Sequence, residues 1–240
     1  GTLDPMATGV LPVFVGRATR AVEFFEHAEK TYEATLRLGM KTDTQDITGT
    51  VLEERPVTVT EQDILNVLPA FRGEILQIPP MYSALKVNGQ KLYDLARKGK
   101  EVERQPRPIT IHELELLHFD GQDARIRVRC SKGTYIRTLC EDMGEKLGCL
   151  GTMAALRRTR AGEYTIEKAV PLQTLLDAEN PEQYLLSMDS PPLPSAKIRK
   201  NAAATAIPSP ALSRTAPTAP TEKTESSSCW PEWRTVLCRP

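Results

Sequence analysis

The chain has 240 residues, 40% of them hydrophobic, and its 31 basic and 31 acidic residues give no net charge. This length and composition fit a soluble globular protein of one large or two small domains. No run approaches the roughly 18 apolar residues that span a bilayer, and no secretory signal pattern opens the chain, so we expect a cytoplasmic protein without membrane contact.

The first predicted element is a short acidic turn, GTLDPMATG, that runs into an apolar stretch over residues 10–15. Pro5 restricts the backbone of Asp4 to extended conformations, and the flanking glycines allow a ligand or another backbone to come close. Two interpretations follow: a structural turn before a strand, or a carboxylate presented to a ligand.

Patterns of apolar spacing, capping and turn residues define the elements of the first half of the chain. Up to residue 53 they predict a helix over 17–28, a half-buried strand over 30–38, a polar loop over 40–49 and a strand over 51–53. After that they predict a helix behind the Thr60/Asp63 capping box, a hairpin turn at Asn88-Gly89 and a short helix over 91–97.

The second half contains two long strands, over 107–119 and 124–130, joined by Asp120-Gly121 and expected to pair antiparallel. Thr134 is predicted to cap a helix that ends at Gly148. Strands and helices that come in blocks with hairpins predict an α+β fold, with a mixed, mostly antiparallel sheet flanked by helices.

Residues 190–240 are rich in Pro, Ala, Ser and Thr and have little apolar periodicity. Such a segment buries too little surface to order itself, so we expect a low-complexity, disordered tail after a domain over residues 1–189. The chain opens in mid-motif without an initiating Met, and we expect it to be a fragment.

Three basic stretches stand out: the alternating Arg125, Arg127 and Arg129, the residues 91–107, and Arg157-Arg158-Thr159-Arg160. A solvated sheet face and a phosphate-tracking surface both explain the arginine alternation. Because residues 1–189 carry a slight excess of acids, an interaction with nucleic acid has to depend on such local clusters.

The segment SKGTYIRT at residues 131–138 is a strand-to-helix junction with Arg137 in the first helical turn. It lacks the glycine and lysine spacing of a P-loop. If Arg137 faces Asp4, the guanidinium favours the ionised carboxylate.

The five cysteines are odd in number and form no Cys-x-x-Cys pair, and the three histidines are scattered. We therefore expect reduced structural thiols, no disulfide framework and no metal site.

Six segments, in order, resemble the successive motifs of the bacterial tRNA pseudouridine synthase B family. They are GTLDPMATGVLPV at 1–13, KTY at 30–32, TDTQD at 42–46, IPPMYSALK at 78–86, SKGTYIRT at 131–138 and LRR at 156–158. The resemblance covers residues 1–189 and implies the pseudouridine synthase fold. The family's N-terminal strand and its C-terminal RNA-binding domain have no counterpart here, so we expect an N-terminally truncated chain with a divergent tail.

The resemblance implies an isomerase that converts uridine 55 in the T-loop of tRNA to pseudouridine after flipping the base into a pocket. It implies no cofactor and no metal. The Met6-Ala7-Thr8 variant resembles the stand-alone bacterial enzymes, so we expect tRNA as the partner, no guide RNA, and a monomer.

The resemblance also assigns roles to residues. Asp4 matches the catalytic aspartate, acting either as nucleophile at C1′ or as base at C2′, and Arg137 matches the arginine that pairs with it. Tyr32 matches a tyrosine that stacks on the flipped base and helps to remove the C5 proton, although core packing also explains it. The substrate-binding positions are Tyr135, Leu156, Asp46, Lys86 and Arg158, with loop stabilisation equally compatible for Asp46.

Two rival functions remain open. A non-catalytic RNA-binding or tRNA-folding module would use the arginine face and would not need Asp4. A glycoside-cleaving enzyme would need a second carboxylate opposite Asp4, and no motif supplies one.

Overall fold

The structure is a computed structural model that describes residues 2–87, 89–186 and 235–239. Its strands are β1 (Thr8–Gly9), β2 (Leu11–Phe14), β3 (Lys30–Leu38), β4 (Met40–Thr42), β5 (Val51–Glu54), β6 (Gly73–Gln77), β7 (Lys86–Val87), β8 (Gln90–Lys91), β9 (Arg107–Phe119), β10 (Asp123–Cys130), β11 (Gly151–Ala161), β12 (Tyr164–Thr165), β13 (Val170–Pro171) and β14 (Thr235–Arg239). Its α-helices are α1 (Val22–Glu26), α2 (Glu61–Val67), α3 (Leu92–Ala96), α4 (Ile136–Lys146) and α5 (Leu172–Leu176).

A seven-stranded sheet in the order β1-β11-β3-β10-β9-β6, with β12 paired to β11, forms the centre of the molecule. Only the β1–β11 pair in this sheet is parallel, and the other pairs are antiparallel. The predicted mixed, mostly antiparallel α+β architecture is therefore confirmed.

Strand β3 lies in the interior of this sheet, and its sequence alternates so that one face is more buried than the other. Ala34, Leu36 and Leu38 are buried on one face, as predicted, while the residues between them are partly exposed. Both neighbours pair with β3 along nearly its whole length, which places Tyr32 between Val128 of β10 and Arg158 of β11.

Helix α4 packs against the sheet through Leu139 and Met143, which are fully buried in the main core cluster. Burial of each such side chain contributes about 2 kcal/mol. Gly144 makes the contact close, since a Cβ there would overlap the backbone at Leu150 and Gly151. The last turn of α4, seven residues after Arg137, is thus held close to the start of β11.

Several predicted elements are confirmed. Thr60 and Asp63 form the capping box of α2, with hydrogen bonds in both directions. The hairpin β9–β10 turns at Asp120-Gly121. Strands β7 and β8 also form a hairpin, although Asn88 itself lies outside the described residues. The predicted helix over 17–28 is a 3₁₀ helix over Gly16–Ala21 followed by α1.

Three local predictions differ from the structure. Residues 40–42 are not loop but strand β4, paired with the wholly exposed β5. Thr42 is the one buried residue of these two strands, which is too few to produce an alternating pattern. Thr134 is not the cap of α4, because its hydroxyl donates to the Ser131 carbonyl and Tyr135 occupies the N-cap position. Strand β11 was not predicted, since two register shifts interrupt its alternation.

A small second sheet joins β13, β14 and β2. Strand β14 pairs antiparallel with β2 and parallel with β13. These five residues belong to the segment predicted as a disordered tail, and they form a strand. The rest of that segment, residues 190–234 and 240, lies outside the described residues, so the predicted boundary at 189 stays a prediction.

Cys130, Cys140 and Cys149 are free and buried, as expected for structural thiols. Burial raises the pKa of Cys130 to about 11, which keeps this thiol protonated and unreactive at neutral pH. No α-helix in the described part of the chain is long and apolar enough to cross a bilayer.

Candidate active site

Asp4 lies in a turn that its own sequence builds. The Ala7 amide donates to the Asp4 carbonyl at 2.9 Å, with Pro5 in the second position that proline favours in such turns. Strand β1 follows at once and pairs with Arg157 and Arg158 of β11. The turn is thereby attached to the edge of the main sheet, and the Asp4 side chain keeps 32% of its surface exposed.

The Arg137 guanidinium is nearly buried and contacts the Asp4 carboxylate through two of its nitrogen atoms. Nε lies 3.0 Å from Asp4 Oδ2, and Nη2 donates to Oδ1 at 3.1 Å. Nη2 also donates to the Tyr82 carbonyl at 2.9 Å and Nη1 to the Thr44 carbonyl at 3.1 Å, while Asp46 Oδ2 lies 3.7 Å from Nη1. This is the bidentate geometry in which arginine holds a carboxylate most strongly.

Asp46 organises the turn that holds Arg137. Its Oδ1 accepts from the Thr44 hydroxyl at 2.9 Å and from the Thr48 amide and hydroxyl, and its carbonyl accepts from the Thr42 hydroxyl at 2.7 Å. The side chain is only 8% exposed. These contacts support the loop-stabilising interpretation of Asp46 and place its second oxygen toward Arg137.

Gln45 connects the same turn to helix α4. Its backbone has a φ of 64°, an uncommon conformation for a residue with a side chain. Nε2 of the Gln45 side chain donates to the Glu141 carboxylate. Oε1 of the same side chain accepts from the Thr138 hydroxyl at 2.8 Å. The strained backbone is thus held by two contacts to the helix that carries Arg137.

Tyr32 lies on β3 beside Arg158, its cross-strand neighbour on β11. Burial raises the pKa of Tyr32, the charge of Arg158 and its side-chain hydrogen bond oppose that rise, and the nearby negative charge of Asp4 adds to it. Arg158 was grouped with surface cations in the sequence, but it is 1% exposed and donates to the Val10 carbonyl at 2.7 Å. It therefore supports the site from within the molecule.

The remaining predicted positions differ in their relation to Asp4. Leu156 is 7% exposed and shares the core cluster against which Leu3, Met6 and Tyr32 pack. Lys86 is exposed on the short strand β7 and is not among the side chains that contact Asp4 or Arg137. The structure thus brings Asp4, Arg137, Asp46, Tyr32 and Arg158 into one group and leaves Lys86 outside it.

Tyr135 occupies the N-cap position of α4, two residues before Arg137. Burial raises the pKa of its phenol, while the nearby Ser83 hydroxyl and the charges of Arg107 and Arg137 oppose the rise. The side chain of Gln77, a residue without a predicted role, forms hydrogen bonds with the Tyr135 backbone. Gln77 carries no local signal beyond its place before Ile78-Pro79-Pro80.

The arginine face on β10 is neutralised by glutamates of the neighbouring strands and of the loop before β3. The contacts are Arg125 with Glu33 at 3.8 Å, Arg127 with Glu33 and Glu115 at 3.4 Å each, and Arg129 with Glu29 at 2.8 Å and Glu113 at 2.7 Å. This ladder supports the interpretation as a solvated sheet face over that of a phosphate-tracking surface.

No three His, Cys, Asp or Glu side chains of residues 2–87, 89–186 and 235–239 are placed to hold a metal ion. What the site offers is a partly exposed carboxylate, a guanidinium saturated with acceptors, and the half-buried phenol of Tyr32. Such a set can hold an ionised acid next to an apolar surface.

Two family models match the chain. The model described as "TruB family pseudouridylate synthase (N terminal domain)" matches residues 1–136, and the one described as "tRNA pseudouridylate synthase B C-terminal domain" matches residues 137–191. The boundary falls beside Arg137, so the Asp4–Arg137 contact joins the two matched regions.

Two bacterial relatives carry the name tRNA pseudouridine synthase B. The protein of Pseudomonas fluorescens (strain Pf0-1) is 58% identical over 175 residues, which are 73% of this chain and 57% of that protein. The protein of Aromatoleum aromaticum is 53% identical over 192 residues, or 79% of this chain and 62% of that protein. The chain thus spans about three fifths of the length of these relatives.

Solved structures with the same fold include a Cbf5-Nop10-Gar1 complex, with 34% identity and a TM-score of 0.56 over 74% of this chain and 44% of that one. Another is an H/ACA RNP bound to a substrate RNA containing 2′-deoxyuridine, with 31% identity and a TM-score of 0.53 over 74% of this chain and 42% of that one.

Proposed function

Because the chain belongs to the TruB family of pseudouridylate synthases, we propose that it isomerises uridine to pseudouridine in tRNA, at uridine 55 of the T-loop. The observation that carries this proposal is the two-point contact between Arg137 and Asp4. It presents one carboxylate, still partly exposed, at the edge of an apolar surface formed with Tyr32 and Leu156.

The substrate uridine has to leave its stack in the T-loop to reach this carboxylate. Flipping costs a few kcal/mol, which stacking and hydrogen bonds in the pocket offset. Tyr32 supplies an aromatic surface for that contact. Because burial raises its pKa, the phenol is neutral at physiological pH, which favours stacking and hydrogen bonding over proton removal by a phenolate.

The reaction rearranges bonds within one nucleotide. The N1–C1′ bond breaks, a C5–C1′ bond forms, and the proton of C5 leaves while N1 gains one, so the reaction needs no oxidant or reductant. Asp4 starts it either by attack on C1′ or by removal of the C2′ proton. Both routes require a carboxylate oxygen held in a fixed position, and the two contacts from Arg137 fix the Asp4 side chain.

We further propose that the chain acts on tRNA without a guide RNA. The Met6-Ala7-Thr8 sequence after the aspartate turn and the bacterial relatives named tRNA pseudouridine synthase B support this. The neutralised arginine ladder on β10 counts against the rival function of a purely RNA-binding module that uses that face.

The proposal is tested with the full chain and a T-loop stem-loop labelled with tritium at C5 of uridine. Wild type should release tritium, and Asp4→Ala should release none while binding the stem-loop with unchanged affinity. Equal release by both proteins removes Asp4 from the chemistry. Binding without release by wild type favours the RNA-binding module.

A further inference from the structure

Gln77, the last residue of β6, bonds the backbone at the start of α4 in both directions. The Tyr135 amide donates to Gln77 Oε1 at 2.8 Å, and Gln77 Nε2 donates to the Tyr135 carbonyl at 3.0 Å. The Gln77 side chain is 2% exposed. A side-chain amide that pairs with both polar groups of one residue holds that residue as a strand partner would.

Helix α4 needs such a partner because its own sequence provides no cap. Tyr135 at the N-cap position makes no side-chain cap hydrogen bond, and the Thr134 hydroxyl donates backward to Ser131. The first amides of a helix lack partners within the helix. Gln77 therefore acts as a cap supplied from a strand that lies 58 residues earlier in the chain.

The same strand end also leads to Arg137. Gln77 is followed by Ile78-Pro79-Pro80, and the chain then reaches Tyr82, whose carbonyl accepts from Arg137 at 2.9 Å. Gln77 thus fixes Tyr135 two residues before Arg137, while its own strand continues into a segment that bonds the guanidinium. Both connections end at the group that holds Asp4.

From this arrangement we infer that Gln77 is a positioning residue for the reaction: its side chain fixes the start of α4 so that Arg137 and Tyr135 face Asp4. The inference rests on the proposed function. A shift of about 1 Å in a group that orients the reacting atoms can cost 100-fold in rate. Gln77 touches neither Asp4 nor the substrate surface, so its effect passes through Tyr135 and Arg137.

The test compares Gln77→Met, which keeps the length but has no amide, with Gln62→Met, an exposed glutamine on α2 that bonds only Asn66 among the described residues. At a temperature where both variants are fully folded, Gln77→Met should lower the single-turnover rate of tritium release about 10- to 100-fold. Affinity for the stem-loop should stay within about twofold, and Gln62→Met should match wild type.

A double-mutant cycle separates positioning from a general structural role. In the Arg137→Lys background, Gln77→Met should lower the rate by less than about threefold, because the group it positions is already altered. A Gln77→Met rate equal to wild type, or the same large loss in both backgrounds, overturns the inference.

Amide hydrogen exchange distinguishes failure of this inference from failure of the proposed function. Gln77→Met should speed exchange of the Tyr135 amide at least about tenfold, whether or not the chain shows activity. If wild type releases no tritium, the proposed function fails and the exchange result alone decides whether Gln77 holds the helix start. Unchanged exchange at Tyr135 overturns that role.

Discussion

Gly9 of β1 lies directly against the backbone of Arg158 on β11, and a Cβ at Gly9 would overlap the Arg158 carbonyl oxygen. The Val10 amide donates to that same oxygen at 2.8 Å. Since Asp4 lies five residues before Gly9, this close approach sets where the Asp4 turn meets the sheet. Gly9 also has a φ of 110°, a backbone conformation that residues other than glycine rarely adopt.

Gly9→Ala should therefore lower the free energy of unfolding by about 3 kcal/mol and reduce tritium release, because both strain and backbone overlap displace β1. Urea unfolding and the single-turnover rate measure the two effects. Gly121→Ala is the matched control: its φ is 101° but nothing lies within 4 Å of the added Cβ. If both variants lose the same stability and activity, the close approach at Gly9 has no effect of its own.

Arg137→Lys should lower the single-turnover rate about 100- to 1,000-fold, since an ammonium cannot make two parallel contacts to Asp4 and also reach the carbonyls of Thr44 and Tyr82. Arg129→Lys is the control, because Arg129 also contacts two carboxylates but lies on the exposed face of β10. A normal rate for Arg137→Lys would show that positive charge alone is sufficient.

Replacing Arg125, Arg127 and Arg129 together by glutamine should leave the salt dependence of stem-loop binding unchanged within about half a unit of slope. Cations already paired with glutamates have few counterions to displace from RNA. Affinity measured from low to high salt checks this. If the triple variant shows a salt dependence of affinity that is flatter by about two units of slope, the arginine face does bind RNA.

Asp142 makes stability depend on pH. Burial and the neighbouring Glu141 and Glu145 raise its pKa to about 6, with Lys41 opposing. The folded state therefore favours the protonated acid. The contribution of Asp142 to stability is full below its ordinary value of 3.8 and is lost as pH rises through about 6.

Asp142→Asn should accordingly raise the free energy of unfolding by about 1–2 kcal/mol at pH 8, after discounting for partial solvent exposure, and change it little at pH 4. Glu182→Gln removes the same charge from an exposed residue and should show no such pH dependence. Equal effects of Asp142→Asn at both pH values would contradict the assignment.

Periodicity predicted the frame of the fold, because strands with one buried face keep a clear alternation. Strand β3 alternates from Ala34 onward and β10 along its length, and the Asp120-Gly121 turn marks the β9–β10 hairpin even though two register shifts interrupt its pairing. Strand β11 was missed since its register shifts break the alternation. Strand β5 was predicted, but its partner β4 was missed because only one of its three residues, Thr42, is buried.

The site depends on contacts between residues far apart in the chain, which local patterns do not contain. The family resemblance suggested that Arg137 faces Asp4, 133 residues away. The glutamates opposite Arg127 depend on cross-strand register, and the bonds of Gln77 join a side chain to a backbone. Arg158 looks like a surface cation in sequence, although β11 turns it inward.

The most direct measurement is the single-turnover rate of tritium release by Asp4→Asn, which keeps the shape of the side chain but removes its charge. We expect a rate at least about 1,000-fold below wild type with stem-loop affinity retained. Asp43→Asn, in which the exposed side chain keeps its acceptor for the Thr50 amide, should stay within about twofold of wild type. An Asp4→Asn rate within about tenfold of wild type would contradict catalysis by an ionised Asp4 held by Arg137.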